Sequence, residues 1–478
     1  MLGVPGLKTR PTTETPGLKT RPATPAGVGR VFDLRAAALR STTVALAKVV
    51  RPGEVTYLAA AEDAARWVRA SAIKTTAGIT WPADPSDPTT VGNTLYSGAP
   101  GVVLFLLDLH HATGKREYLD DARSGADDLL AALPGEKQSG LYVGVAGIGF
   151  TLGEVYRATN DPKYREGMRA AVTILGERVK EEGAGVHWGP VTDIIGGTAG
   201  IGLFLLHAGK TLNHPGATKL ATRAADRLIE LGIAEHGGVK WQMAPNAPRL
   251  MPNFSHGTAG ISYFLARVYE ETKQKKYLDG ALAGAKYLQA IAKTEGDICL
   301  IQHNQPDGLD LFYLGWCHGP VGTARLWYQL GRVTGDKQWM TWVDRSAKAL
   351  TTSGIPEKRT PGFWNNVSQC CGSAGVAQFF LDLYAAGSSD SAEATADKKD
   401  PAYMTFAKKM TDDLLARGTR DEKGLRWVQA EHRVQPNLLV AQTGYMQGAA
   451  GIGMWLLRLD AAESKRKPFV RFPDTPFF

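Results

Sequence analysis

Cysteine is scarce in this chain: there are four in 478 residues, and two of them, Cys370 and Cys371, are neighbours. So few do not make the disulfide framework of a secreted protein, and a reducing compartment, the cytoplasm, is expected. Long apolar runs are lacking as well. The longest, such as Val102 to Leu107 and Ile201 to Leu206, fall far short of the roughly 20 residues that cross a bilayer, so no membrane span is expected. Spread-out positive charge is the third absence. Residues 1–51 hold nine Lys/Arg against two Asp/Glu, which leaves only one of the eight net positive charges for the rest of the chain. Phosphate recognition needs clustered Lys/Arg, so no nucleic-acid partner is expected.

What is present suits a large globular fold, because 44% of the side chains are hydrophobic and a chain of this length can bury a sizeable core. Residues 1–50 read as a basic, largely disordered tail in which "PGLKTRP" occurs twice, at Pro5 to Pro11 and Pro16 to Pro22. Such a segment has little to bury. Within it, residues 31–50 have the composition of a helix and lack the apolar region and cleavage site of a secretory signal. Residues 51–478 read as one domain.

That domain repeats itself. A four-residue GxxG turn followed by an apolar run occurs seven times, beginning at Gly98, Gly144, Gly197, Gly257, Gly319, Gly372 and Gly448, with steps of 46, 53, 60, 62, 53 and 76 residues. Ahead of the turns lie segments whose apolar residues recur every three to four positions, as in "YLAAAEDAARWV" from Tyr57 and "YLDGALAGAKYL" from Tyr277, the spacing of amphipathic helices. The runs after each GxxG are apolar all round, so those helices are expected to be buried. Short Gly-x-Trp elements ending at Trp81, Trp188, Trp241, Trp364 and Trp427 read as extended segments between the two helix types. Outer amphipathic helices around inner apolar ones bury every face only if the ring closes. The expected fold is therefore all-α, a seven-fold α/α toroid (barrel). The long last step contains residues 385–400, "AAGSSDSAEATADKKD", read as a low-complexity surface insertion.

Glycine has no Cβ to clash in a tight turn, so the informative positions are those just before each turn, which should gather at one mouth of the ring. Three repeats carry unremarkable Ser97, Val143 and Gln447, while the middle four carry Asp193, His256, Cys317-His318 and Cys370-Cys371. One buried cysteine would be a small hydrophobe. Three at equivalent turn edges point to a zinc site, because thiolates select that metal. A strained vicinal disulfide between Cys370 and Cys371 is the alternative, and Cys299, which matches no turn, reads as structural.

The seven GxxG repeats together with "DIIGGTAG", "SHGTAG", "GWCHGPVG" and "QCCGSAGV" in that order resemble the lanthionine cyclase (LanC-like) family over roughly residues 54–457. The resemblance implies one zinc held by Cys317, Cys370 and Cys371, with His256 and Asp193 serving the proton steps. Where the family usually has CHG this chain has CCG, a third thiolate that makes the site more electron-rich. Some members carry a basic residue where this chain has Tyr313, which leaves the partner of Asp193 open.

The implied activity is that of a cyclase in lanthipeptide biosynthesis. A peptide cysteine adds to a dehydroalanine or dehydrobutyrine and closes a thioether (lanthionine) ring, Zn2+ being the cofactor. The partners are then a dehydrated precursor peptide or another thiol substrate, with a separate dehydratase supplying the peptide. His256 alone reads equally as a satisfied turn histidine, and Asp193 as a helix cap. His318 is either an additional acid/base group or the fourth ligand of a closed Cys3His structural zinc. A stand-alone protein of this kind acting on glutathione or other thiols, or serving as a non-catalytic binding module, is the competing function. Glycosidases and terpene cyclases also use helical toroids, but the paired carboxylates or DDxxD clusters they need are not at these turn edges.

Overall fold

Helices that alternate between amphipathic and wholly apolar can only be buried in two concentric layers, and the computed structural model, which describes residues 48–49, 55–387 and 400–477, has that arrangement. Along the chain run α1 (Tyr57–Ala70), α2 (Ala99–Thr113), α3 (Arg116–Ala132), α4 (Val145–Thr159), α5 (Pro162–Arg178), α6 (Thr198–Leu212) and α7 (Pro215–Glu230). They continue as α8 (Thr258–Thr272), α9 (Lys275–Ile291), α10 (Pro320–Thr334), α11 (Gln338–Thr351), α12 (Ser373–Ala386), α13 (Pro401–Ala416) and α14 (Ala449–Glu463). Even-numbered helices form the inner ring and odd-numbered ones the outer. α14 packs on both α1 and α2, which closes the circle. The chain is the expected α/α toroid. Among the described residues no helix is long and apolar enough to cross a membrane.

The inner helices approach closely because glycine on one receives phenylalanine from the next. A Cβ at Gly202 on α6 would lie 2.2 Å from the Phe264 ring of α8, and one at Gly453 on α14 would lie 2.4 Å from the Phe105 ring of α2. The second contact spans the ends of the repeat array, so the seam where the ring closes is packed like its other joints. Outer helices are stitched by phenol–carboxylate bonds. Tyr118 O–H donates to Glu62 on α1 (3.0 Å), Tyr164 to Asp127 on α3 (2.8 Å) and Tyr277 to Asp226 on α7 (2.8 Å).

Four of the five Gly-x-Trp elements form the anticipated extended segments, and the one ending at Trp364 has only an isolated bridge between Thr360 and Phe363. Strands Gly185–His187, Gly238–Lys240 and Gly424–Arg426 each form one arm of a short antiparallel hairpin. The indole that follows donates to a carbonyl near the end of the preceding outer helix: Trp188 to Leu175 (2.7 Å), Trp241 to Leu228 (2.6 Å) and Trp427 to Leu414 (2.8 Å). Those bonds fall on carbonyls of the last helical turns, where the α-helical pairing runs out; Leu414 O also accepts from Arg417 N (3.2 Å).

One sequence expectation needs correction. The helix read over residues 31–50 does not extend to its end, because Lys48 and Val49 form a strand paired with Arg420 and Thr419. The hairpin of residues 419–426 has an open edge there, and a strand laid along it satisfies the peptide groups. The remainder of that helix, the tail itself and residues 388–399 of the insertion lie outside the described residues. The long last step has a second cause the sequence did not reveal: a hairpin of Val428–Ala430 with Leu439–Ala441.

After α14 the chain turns back into the lumen. Asp108 Oδ1 accepts from the peptide nitrogens of Phe469 (3.0 Å) and Val470 (2.8 Å), and Phe472 stacks on Tyr445 at 4.5 Å. Deeper still, Asp474 is 1% exposed and takes hydrogen bonds from Arg325 (2.8 Å) and Tyr142 (3.1 Å). Arg325 in turn lies over the Trp316 ring, 5.9 Å from its centroid. Removing one partner of a buried ion pair leaves the other uncompensated. Asp474→Ala should therefore lower the unfolding free energy by about 3–5 kcal/mol, read from urea denaturation; a loss below about 1 kcal/mol would show that the pair is not holding the lumen closed.

Candidate metal centre

The loops that lead into the inner helices are tied to one another by their peptide groups. Tyr96 N–H donates to Tyr142 O (2.9 Å), Tyr142 to Ile195 O (2.9 Å), Ile194 to Ser255 O (3.2 Å), Ser255 to Cys317 O (3.0 Å), Trp316 to Cys370 O (2.8 Å), Cys370 to Met446 O (3.0 Å) and Met446 to Tyr96 O (2.8 Å). The last bond returns to the first loop. This circular ladder satisfies backbone groups that could not otherwise be buried, and it sets the two cysteine loops side by side although they are 54 residues apart.

Glycine is required where the loop turns into the helix. A Cβ at Gly257 would stand 1.4 Å from Met251 O. The backbone there is extended (φ −154°), so the glycine provides room and relieves no strain. The residues just before the turns then look into one cavity of 650 Å³, lined by Ser97, Val143, His256, His318, Cys371 and Gln447, with Cys317 and Cys370 also on its wall.

Cys317, Cys370 and Cys371 are buried and unbridged, so the vicinal disulfide is absent. Their sulfurs all lie within 4.8 Å of one another, with Cys317 Sγ 3.3 Å and Cys370 Sγ 3.4 Å from Cys371 Sγ. Hydrogen bonds from Cys317 and Cys371 draw the Cys370 thiol well below its ordinary range. Burial pushes Cys317 up, and the bonds to the other two sulfurs hold Cys371 up. Three buried thiols within reach of one another form a donor set that fits a thiophilic ion such as zinc. Cys299 stands apart, and burial pushes its thiol up to about 12, as befits a structural side chain.

Cys370 has a further support that sequence reasoning missed. Tyr96 O–H donates to Cys370 Sγ (3.4 Å), Gln447 Nε2 donates to the Tyr96 oxygen (2.9 Å), and Asn366 Nδ2 donates to Gln447 Oε1 (3.0 Å). Burial raises the Tyr96 phenol well above its ordinary value, which keeps it a donor. Gln447 reads as unremarkable in sequence because its role is defined by partners 351 and 81 residues away.

Asp193 is not the cap of α6, whose N-cap is Gly197 with no side-chain bond. Its Oδ1 accepts from the loop amides Gly196 N (2.8 Å) and Gly197 N (2.9 Å), while Oδ2 lies 2.6 Å from His256 Nδ1. A carboxylate oxygen here can only accept, so Nδ1 carries the proton and the half-buried imidazole keeps Nε2 available. His318 is not part of the three-cysteine cluster. Its ring lies 5.4 Å from His256 and 4.5 Å from His303, its buried Nδ1 has no hydrogen-bond partner among the described residues, and burial holds it well below the usual histidine range. His303, which no turn motif marks, is held down to about 4 by burial and packs 4.2 Å from the Tyr313 ring.

Residues 89–473 match a family model described as lanthionine synthetase C-like protein. Among solved structures, a nisin cyclase is similar with a TM-score of 0.56 at 17% identity, covering 80% of this chain and 91% of that one. An α-1,6-mannanase, GH76A of Salegentibacter sp. HEL1_6, follows with a TM-score of 0.45 at 15% identity, covering 85% and 99%. At 17% identity the likeness to the nisin cyclase concerns the fold. No curated protein matches the chain in sequence.

Purified protein should carry about one zinc per chain. Cys317→Ala, Cys370→Ala and Cys371→Ala should each lose it in metal analysis, whereas His318→Ala should retain it; full retention by Cys371→Ala would remove that sulfur from the donor set. Tyr96→Phe should keep the metal with an affinity about tenfold weaker in chelator competition, the usual cost of losing a bond to a ligand.

Proposed function

Because the chain belongs to the lanthionine synthetase C-like family, we propose that it catalyses the Michael-type addition of a cysteine thiol to a dehydroalanine or dehydrobutyrine, forming a thioether ring within a peptide. The observation that carries this reading is the pairing, in one cavity, of a three-cysteine cluster with an imidazole oriented by a buried carboxylate. Thiol addition needs those two parts: a site that favours thiolate, and a group that moves a proton.

Cys317, Cys370 and Cys371 would hold the ion, leaving His318 outside the ligand set. Zinc, when bound there, would supply the Lewis acidity that keeps a substrate thiol ionised near neutral pH. The remaining work falls to side chains. As the C–S bond forms at Cβ, the electrons of the C=C bond move toward the carbonyl, and Cα must then take up a proton. His256 Nε2 faces the cavity to exchange it, since Nδ1 is committed to Asp193. Asp193, only 2% exposed, fixes the tautomer and stabilises the imidazolium that arises when His256 is reloaded. The thiol proton lost and the Cα proton gained balance, so the peptide's mass does not change. The product is an isomer.

A dehydrated peptide arriving from a separate dehydratase, in the cytoplasm, is the substrate that fits this chemistry. Incubated with such a peptide containing one cysteine, the wild-type chain should abolish thiol trapping without a mass change. His256→Ala should keep zinc and fold yet add thiol about 10²–10⁴-fold more slowly, the usual contribution of an acid/base group. Asp193→Asn should slow the same step with metal retained. Wild-type turnover by His256→Ala would transfer the proton role to His318, and an inactive wild type on every such peptide and on glutathione would leave a binding module.

A further inference from the structure

We propose that Tyr313 is a further catalytic residue, its phenolic O–H donating to the carbonyl oxygen of the dehydro residue during addition, and that Arg433 positions and polarises it. The inference rests on the addition reaction proposed above.

The chemistry requires such a donor. When sulfur bonds to Cβ, the displaced electron pair reaches the carbonyl oxygen two bonds from Cα, and negative charge stays there until Cα is protonated and the C=O bond is restored. His256 serves Cα. A fixed donor or cation aimed at the oxygen is worth far more in an enclosed site than in water.

Two guanidinium groups line the cavity with the cysteines and His256, those of Arg249 and Arg433. Arg249 is paired with Asp307 (3.1 Å) on the exposed rim. Arg433 is half-buried, and among the described residues no carboxylate pairs with it; its Nε donates to the Tyr313 oxygen (3.1 Å). The carboxylate nearest it in sequence, Glu431, is taken by Gln442 Nε2 (2.7 Å). A phenol that accepts from a cation becomes a stronger donor through its own hydrogen. Burial raises Tyr313 to about 12, so that hydrogen is present throughout the working pH range.

The ring is held from three sides. His303 packs 4.2 Å from it, Trp364 meets it edge-on at 5.2 Å, and His318 meets it edge-on at 5.6 Å. His318 also neighbours His256 at 5.4 Å, and Tyr313 and His256 both line the cavity that holds the cysteines. That is the relation needed by two groups serving the carbonyl oxygen and Cα of a single residue.

Arg433 reaches the site from the loop of the Val428–Ala441 hairpin, and Tyr313 from the loop before α10. A bond between them could equally be an anchor for the hairpin, and the test separates the two roles. Tyr313→Phe should retain zinc and lower kcat about 100-fold, within the range for removal of an oxyanion donor, with KM unchanged, because the bond strengthens only as charge develops. Arg433→Met should lower kcat about tenfold, and the double variant should be no slower than Tyr313→Phe alone, since Arg433 acts through the phenol. A loss confined to KM, or faster proteolysis of the hairpin with kcat intact, would reduce the pair to an anchor and overturn the proposal. So would wild-type kcat in Tyr313→Phe on a peptide that the native chain cyclises, an outcome that leaves the addition reaction standing. Should Tyr313→Phe lose its fold, Arg433→Met decides alone: unchanged kcat overturns the proposal. A native chain that forms no thioether on any substrate overturns both readings.

Discussion

Seven peptide hydrogen bonds that run from loop to loop and end where they began are the constraint on which the rest of this structure depends. Each inner helix begins in a loop whose amide and carbonyl would be buried and unpaired if its neighbour were displaced, and a buried, unpaired peptide group costs about 1–3 kcal/mol. The loops are therefore held in register by groups every residue possesses, which frees the side chains at the turn edges for chemistry. Cys317 and Cys370 meet because their loops are neighbours in that ladder. Cys371 joins them because it is the next residue along one of the two.

The polar side chains around this ladder are used economically. One Asp193 oxygen binds the amides of the turn that leads into α6 while the other orients His256, so the turn itself fixes the imidazole. Cys370 is held by two sulfurs and by a phenol steadied through Gln447 and Asn366. Such groups define a site sharply because moving any one leaves another buried without its partner.

How much of this could be read from sequence followed from what was local. The GxxG spacing and the apolar runs after it report the closeness of one loop and one helix, so the toroid, its seven repeats and the gathering of Asp193, His256, Cys317, Cys370 and Cys371 at one mouth were legible. The residues that went unread share a different property. Tyr96, Gln447, Arg433 and Asp474 act on partners 274, 351, 120 and 149 residues away, and no short motif encodes a contact at that range. The Val428–Ala441 hairpin was hidden for another reason: its strands are three residues each, too short to show an alternating pattern, and they lie in a step already lengthened by residues 385–400.

The returning chain at the far end of the ring sets the topology of access. With Phe472, Asp474 and their partners packed in the lumen behind Trp316, the cavity that holds the sulfurs is blind on that side. A polymer that reaches the sulfurs cannot be threaded through like a string through a bead. A segment that enters as a bight, folded back on itself, leaves both of its ends in solvent. In that posture residues some distance apart along the polymer already lie side by side, so much of the entropy of closing a loop is lost on entry, before any bond is made.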